Sequence, residues 1–346
     1  MIRYSKIDKK YFSEWVESLK NHGNLYGPIK KENSYVFRQI KDISTIDLKY
    51  TITILPPKKY YFPQKEFLFA FNREQFKTSK AIHEFEEFIL FGVHTCDIAG
   101  IQCMDVVFRE EPIDPNYINR KDRMTTVGIE CLKPCNEYSN CTSMGNHVPK
   151  GGYDLMLTDT GNNYIIHINS IKGEEILKDR GYIEKCDSKD IDLLDSIRRN
   201  KEVLFKEEFI GRLNEVYSAF SDLYKSEIWE DVGKRCVGCG NCTAVCPTCY
   251  CFDVFDELSI NLNDGIRYRM WNSCQMDDFA RVATGEDFRS GRTNRQRHRY
   301  YRKFKYLVDK FNRYFCTGCG RCTKTCMSGI SLVKTVNDLI TEHRNV

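Results

Sequence analysis

Two cysteine runs lie toward the C-terminus. They read Cys236-Val-Gly-Cys239-Gly-Asn-Cys242-Thr-Ala-Val-Cys246-Pro247 and Cys316-Thr-Gly-Cys319-Gly-Arg-Cys322-Thr-Lys-Thr-Cys326. Each is C-x2-C-x2-C-x3-C, the spacing that holds a [4Fe–4S] cluster in two-cluster ferredoxins. Three thiolates on one tight loop can reach three corners of a cubane. The fourth cysteine is expected to start a helix that carries it to the other cluster. The expected ligand sets are therefore Cys236, Cys239, Cys242 and Cys326 for one cluster, and Cys316, Cys319, Cys322 and Cys246 for the other. Gly238, Gly240, Gly318 and Gly320 let the backbone curl round the inorganic core and aim N–H groups at its sulfurs. Structural zinc is the competing chemistry. It favours two C-x2-C pairs a dozen or more residues apart, which these compressed runs do not offer.

The chain of 346 residues is longer than one hydrophobic core usually grows, so two domains are expected. Its 17 cysteines come with no apolar core of signal-peptide length in MIRYSKIDKKYF, which Lys9 and Lys10 interrupt. They read as metal ligands in a reducing cytoplasm, and no apolar run has the length to span a bilayer. A net charge of +4 names no partner by itself.

Residues 1–200 read as a mixed α/β domain. Ile7, Tyr11, Trp15 and Leu19 recur at helical spacing, and strands are expected over Ser34–Ile40, Tyr50–Leu55, Phe67–Phe71 and Glu87–Val93. Met124–Glu130, Tyr153–Thr158 and Tyr164–Ile168 complete the strand set. Asp97 looks like the N-cap of a helix over Ile98–Phe108. Residues 201–235 form a connector, with an amphipathic helix or helix pair over 201–229. Residues 236–346 make an α+β dicluster, ferredoxin-like domain with a long helical insertion, 247–315, including a helix over Met276–Thr284.

That insertion carries Cys249, Cys251 and Cys274, which can line a cluster, form a further site or simply pack. It also carries a basic run, Arg289–Lys305, with eight Lys or Arg, no acidic residue, and Tyr300, Tyr301 and Phe304 interleaved. Such a run can bind nucleic acid or be a solvated face. Inside a redox module, the favoured reading is that its cations offset cluster charge or dock an acidic partner, and no nucleic-acid partner is expected.

A second cysteine group lies in the N-terminal part: Cys96, Cys103, Cys131, Cys135 and Cys141. Cys96 and Cys131 each follow an expected strand. If those strands are neighbours, their C-terminal ends bring Cys96, Cys131, Cys135 and Cys141 to one rim, where they can hold a third [4Fe–4S] cluster. Buried free thiols are the alternative, and Cys103, inside a helix, reads as a small buried hydrophobe.

Leu25-Tyr26-Gly27-Pro28-Ile29-Lys30, Phe37-Arg38-Gln39-Ile40, Leu55-Pro56-Pro57-Lys58-Lys59-Tyr60-Tyr61-Phe62, Phe91-Gly92-Val93-His94-Thr95-Cys96-Asp97, Gly128-Ile129-Glu130-Cys131, Cys246-Pro247-Thr248-Cys249-Tyr250-Cys251 and Trp271-Asn272-Ser273-Cys274-Gln275 together have a family character. The chain resembles, almost end to end, the beta subunit of cytoplasmic sulfhydrogenases and, more distantly, the A subunit of anaerobic sulfite reductase. The resemblance implies an iron–sulfur electron-transfer subunit. It would work beside a flavin- and NAD(P)-binding subunit and a catalytic subunit, a nickel–iron hydrogenase in one branch and a siroheme sulfite reductase in the other. Two departures stand out: Ser139 replaces the first cysteine of the family's C-x-C pair before Cys141, and Met327 replaces a proline. No G-x-G-x-x-G or G-x-x-x-x-G-K-[ST] loop points to nucleotide binding by this chain. A self-contained flavin-dependent reductase and an iron–sulfur nucleic-acid-binding regulator are the rival readings.

Overall fold

The computed structural model describes residues 3–80, 86–178 and 180–346. The N-terminal half runs β1 (Arg3–Asp8), α1 (Lys9–Leu19), β2 (Asn24–Lys31), β3 (Ser34–Gln39), β4 (Lys65–Asn72), β5 (Lys77–Lys80), β6 (Phe88–His94) and α2 (Thr95–Phe108). It continues through α3 (Pro115–Asp122), β7 (Met124–Ile129), β8 (Leu155–Asp159), β9 (Asn163–Ile168), α4 (Ile171–Leu177), β10 (Ile183–Lys185) and α5 (Ser188–Leu204). Eight of these strands form one sheet, ordered β10-β1-β9-β8-β7-β6-β2-β3. Its centre, β2-β6-β7-β8, is parallel and its flanks are antiparallel. The central strands β6 and β7 are buried along their whole length, as a parallel sheet covered on both faces requires. Trp15, Phe91, Val127 and Leu155 lie in the core around them.

The second half runs α6 (Leu213–Asp222), α7 (Ile228–Arg235), α8 (Asn241–Ala244), β11 (Phe252–Leu258), β12 (Asp264–Trp271), α9 (Arg292–Phe304), α10 (Tyr306–Phe311), α11 (Arg321–Lys324) and α12 (Leu332–Arg344). A separate core of Trp229, Tyr300, Phe304, Val336 and Leu339 gathers α7, α9 and α12.

The insertion is not wholly helical. Its first part folds as the β11–β12 hairpin, in which Ile266-Arg267-Tyr268-Arg269-Met270 of β12 alternates with the period of a strand, and the hairpin extends β4–β5 into a four-stranded antiparallel sheet. Met276–Thr284 is not a helix either. Val282 takes a turn bond to Glu286, and Asp277 is spent on an ion pair with Arg295. Tyr50–Leu55 forms only an isolated bridge to Tyr35 through Thr53, just before the Pro56-Pro57 pair.

The connector breaks over 205–212, where the backbone N–H groups of Glu208 and Phe209 bond Ser143 Oγ and that of Ile210 bonds Asn337 Oδ1. Near the N-terminus, Ile7 belongs to β1, so α1 buries Trp15, Val16 and Leu19 and leaves Tyr11 exposed. Asp97 is not a cap. The helix starts at Thr95, and the fully buried Asp97 carboxylate receives Arg321 from the second half of the chain, Nη1–Oδ1 2.5 Å and Nη2–Oδ2 2.8 Å. Arg321 also donates to Thr53 O at 2.9 Å. Among the described residues no helix is long and apolar enough to cross a membrane.

Candidate functional site

The two cysteine loops are built alike. Gly240 and Gly320 share a left-handed conformation, φ 74° in both, and each opens a single turn of helix, α8 or α11. That turn contains the third cysteine, Cys242 or Cys322. The fourth, Cys246 or Cys326, follows the turn instead of starting a helix, which corrects the expectation from spacing. Asn241 reaches from one turn to Thr325 O beside the other, so the loops face each other.

Two clefts result. One is lined by Cys236, Cys239, Cys242, Cys322 and Cys326 and encloses about 400 Å³ of empty space, partly open to solvent. The other is lined by Cys316, Cys319, Cys322 and Cys246 and encloses about 360 Å³ of empty space, also partly open to solvent. The first cleft thus takes Cys322 and Cys326 from the opposite loop, and the second takes Cys246. The first reaches the surface: Cys239 and the flanking Val237 and Met327 are exposed, whereas Cys316 and Cys319 are buried.

The surroundings suit an anionic metal–sulfur core. Gly238 N donates to Cys236 Sγ at 3.3 Å, Ile330 N to Cys326 Sγ at 3.3 Å, and Gln296 Nε2 to Cys236 Sγ at 3.0 Å. Lys303 Nζ lies 3.1 Å from Cys246 Sγ. Gln296, Arg299 and Lys303 come from the buried face of α9, so the basic run turns three of its residues inward, toward the thiols. Arg292 Nη1 from the same helix donates to Cys236 O at 2.7 Å.

Burial pushes the thiols of Cys242, Cys316 and Cys319 up to about 12. Cys246 goes the other way, held well below the ordinary thiol range by a bond from Cys249 and, beyond the cost of burial, by the Lys303 ammonium. A metal must therefore displace protons from most of these thiols to bind. The eight thiols, N–H donors and cations fit two [4Fe–4S] clusters. Among the described residues no three His, Cys, Asp or Glu groups close round a single-ion site. A wider cleft, about 830 Å³ with open solvent included, lies on the four-stranded sheet and has no thiol.

The N-terminal cysteines do share a rim. β6 and β7 are parallel neighbours, His94 opposite Ile129, so Cys96 and Cys131 leave adjacent strand ends. Cys135 packs with Cys96, Ile52 and Cys319 of the second cluster loop. Burial, and then the nearness of Cys135 and Cys141, drive the Cys131 thiol far up, while burial followed by Cys135 lifts Cys141 to about 12. Ser139 Oγ turns to Asn136 O within its own loop. Cys103 is buried and points at Tyr314 O, 3.6 Å away.

Sequence reasoning missed Lys58, which is buried and donates to Cys246 O at 3.0 Å and Cys249 O at 2.6 Å. It also missed the roles of Gln275, Gln296 and Arg321. The Pro56-Pro57-Lys58 and Cys274-Gln275 blocks were visible, but nothing in them shows which thiol they approach.

Comparison with known proteins now adds to this geometry. Residues 235–330 match the 4Fe-4S dicluster domain. Over 341 residues, 98% of each chain, the sequence is 33% identical to sulfhydrogenase 2 subunit beta of Pyrococcus furiosus. The chain belongs to the sulfhydrogenase beta-subunit family. It is an iron–sulfur electron-transfer subunit whose dicluster domain implies two [4Fe–4S] clusters. No solved structure matches it.

Proposed function

We propose that this chain relays single electrons between a flavin- and NAD(P)-binding subunit and a separate catalytic subunit, in a hetero-oligomer of the sulfhydrogenase type with a nickel–iron hydrogenase as catalyst. A siroheme sulfite reductase is the catalyst of the related branch. The carrying observation is the crossed arrangement of thiols, with Cys326 in the cleft of Cys236, Cys239 and Cys242, and Cys246 in that of Cys316, Cys319 and Cys322. These are the proposed ligand sets. A [4Fe–4S] cluster, when bound, accepts and passes on one electron at a time.

The chain's own part is to hold the thiols, donate N–H groups to their sulfurs, set cations behind them and exclude water. The exposed edge at Cys239, Val237 and Met327 is the proposed port for a partner subunit. A third [4Fe–4S] cluster on Cys96, Cys131, Cys135 and Cys141 is part of the proposal, supported by the common rim of β6 and β7 and by the contact of Cys135 with Cys319. The proposed setting is the cytoplasm.

The test is anaerobic spectroscopy with kinetics on the purified chain. Dithionite should reduce the clusters, and the reduced protein should pass electrons to a viologen dye. NAD(P)H alone should give negligible turnover until the flavin-binding subunit is added. Robust turnover of NAD(P)H by the isolated chain would refute the relay and favour a self-contained reductase.

A further inference from the structure

The insertion contains a third thiol-lined cleft, separate from the dicluster sets and from the N-terminal cysteines. Cys249, Cys251 and Cys274 rim it, together with Arg299, Arg302 and Lys303, and it encloses about 310 Å³ of empty space, partly open to solvent. That is close to the 360 Å³ and 400 Å³ of the two ferredoxin-type clefts. Three thiols, one buried and two part-buried, would leave no such space if they merely packed, and a dithiol that closes to a disulfide needs none.

The elements that bring these thiols together are far apart in sequence. Cys249 and Cys251 lie between α8 and β11, and Cys274 follows β12. The antiparallel pairing of Phe252 with Trp271 sets the two segments side by side, and Asn272 N bonds Cys251 O at 2.9 Å. Gln275 Nε2 donates to Cys274 Sγ at 3.3 Å and to Arg295 O at 3.0 Å, which fixes the third thiol against α9.

The walls are cationic. Lys303 Nζ is 3.7 Å from Cys249 Sγ and 3.1 Å from Cys246 Sγ, so one ammonium spans this cleft and the neighbouring cluster loop. Arg302 is stacked on Tyr250, 4.8 Å from guanidinium carbon to ring centroid. Arg299 is 4% exposed, and its Nη1 is buried with no hydrogen-bond partner. A buried, unpaired guanidinium N–H is costly unless an acceptor lies before it, and Arg299 lines both this cleft and that of Cys236, Cys239 and Cys242. An anionic core held by soft thiolates fits a cleft lined by three thiols and three cations.

We propose that Cys249, Cys251 and Cys274 hold an additional iron–sulfur cubane, with three cysteine thiolates and a fourth iron left to a non-cysteine ligand. Each thiol gives up its proton on binding iron. Arg299, Arg302 and Lys303 balance the negative charge that the thiolates bring into the cleft. This centre would adjoin the cluster that takes Cys246, making it a branch or terminus of the proposed relay. The inference rests on the iron–sulfur reading of the chain but not on the direction of electron flow.

The experiment is iron and sulfide analysis with Mössbauer spectroscopy on the anaerobically reconstituted full chain and its Cys249→Ala/Cys274→Ala variant. The variant is expected to lose about four iron atoms per chain, the content of one cubane, while keeping the signals of the dicluster pair. Unchanged iron content in a folded variant would overturn the site. Should the variant not fold, native alkylation of the wild-type protein decides. Cys249, Cys251 and Cys274 should resist iodoacetamide until the iron is chelated. Their labelling in protein that still holds its dicluster iron would refute the proposal, whereas wild-type protein without any cubane would instead refute the underlying iron–sulfur assignment.

Discussion

Lys303 lies within 3.1 Å of Cys246 Sγ in a fully buried setting. Burial opposes its charge, but the thiols of Cys246 and Cys249 outweigh burial and keep it protonated. A fixed positive charge at that point favours the more negative, reduced state of whatever metal core Cys246 binds. At an effective dielectric of about 20, a unit charge some 6 Å away is worth on the order of 3 kcal/mol, or roughly 100 mV for one electron. Lys303→Met keeps much of the volume and removes the charge. We expect spectroelectrochemical titration to show one cluster shifted negative by about that amount, with iron content unchanged. A potential that stays put would mean that Lys303 is only a structural donor to Thr248 and Phe315 O.

At the scale of elements, the two cysteine loops share their backbone but not their surroundings. Gly238 and Gly318 both have positive φ, 71° and 74°. A Cβ at Gly238 would meet nothing closer than Gln275 O at 3.7 Å. At Gly318 it would lie 2.4 Å from the Cys141 Cα and 2.5 Å from the Cys141 backbone nitrogen. The loop of the N-terminal cysteines is thus pressed directly onto the second cluster loop, and Asn140 N bonds Gly318 O at 2.8 Å.

Both Gly→Ala changes pay for a left-handed alanine, about 1–2 kcal/mol. Gly318→Ala adds a backbone clash that no rotamer relieves, about 1–3 kcal/mol more. Thermal unfolding should rank Gly318→Ala clearly below Gly238→Ala, and alkylation of Cys135 and Cys141 should rise only in the former. Equal destabilisation would contradict the tight seating of the two loops.

Over the whole molecule, the dicluster unit was legible because its information is local: eight thiols at fixed spacing, with glycines where the backbone turns. The strands β6 and β7 were legible too, from short apolar runs, and with them the rim shared by Cys96 and Cys131. Long-range partners were not. Asp97 reads as a cap because a helix follows it, and only the fold brings Arg321 to it across more than two hundred residues. Arg289–Lys305 reads as a basic run whose cations offset cluster charge or dock an acidic partner, but sequence does not show which face of α9 meets the thiols. The β11–β12 hairpin was hidden because its pairing partner, β4, is distant in the chain, and a hairpin flanked by helices is easily taken as part of a helical insertion. Lys58, likewise, acquires its role only when the loop after Pro57 is folded against Cys249.

These contacts join the two halves, with N-terminal residues touching both cluster loops. The proposed exchange of fourth thiols between the loops can be examined with a single variant. In anaerobic, fully reconstituted protein, Cys326→Ala should release about four iron atoms and open Cys236, Cys239 and Cys242 to alkylation, while Cys316, Cys319, Cys322 and Cys246 stay protected. Opening of Cys316, Cys319 and Cys322 instead, or no loss of iron at all, would contradict the crossed arrangement.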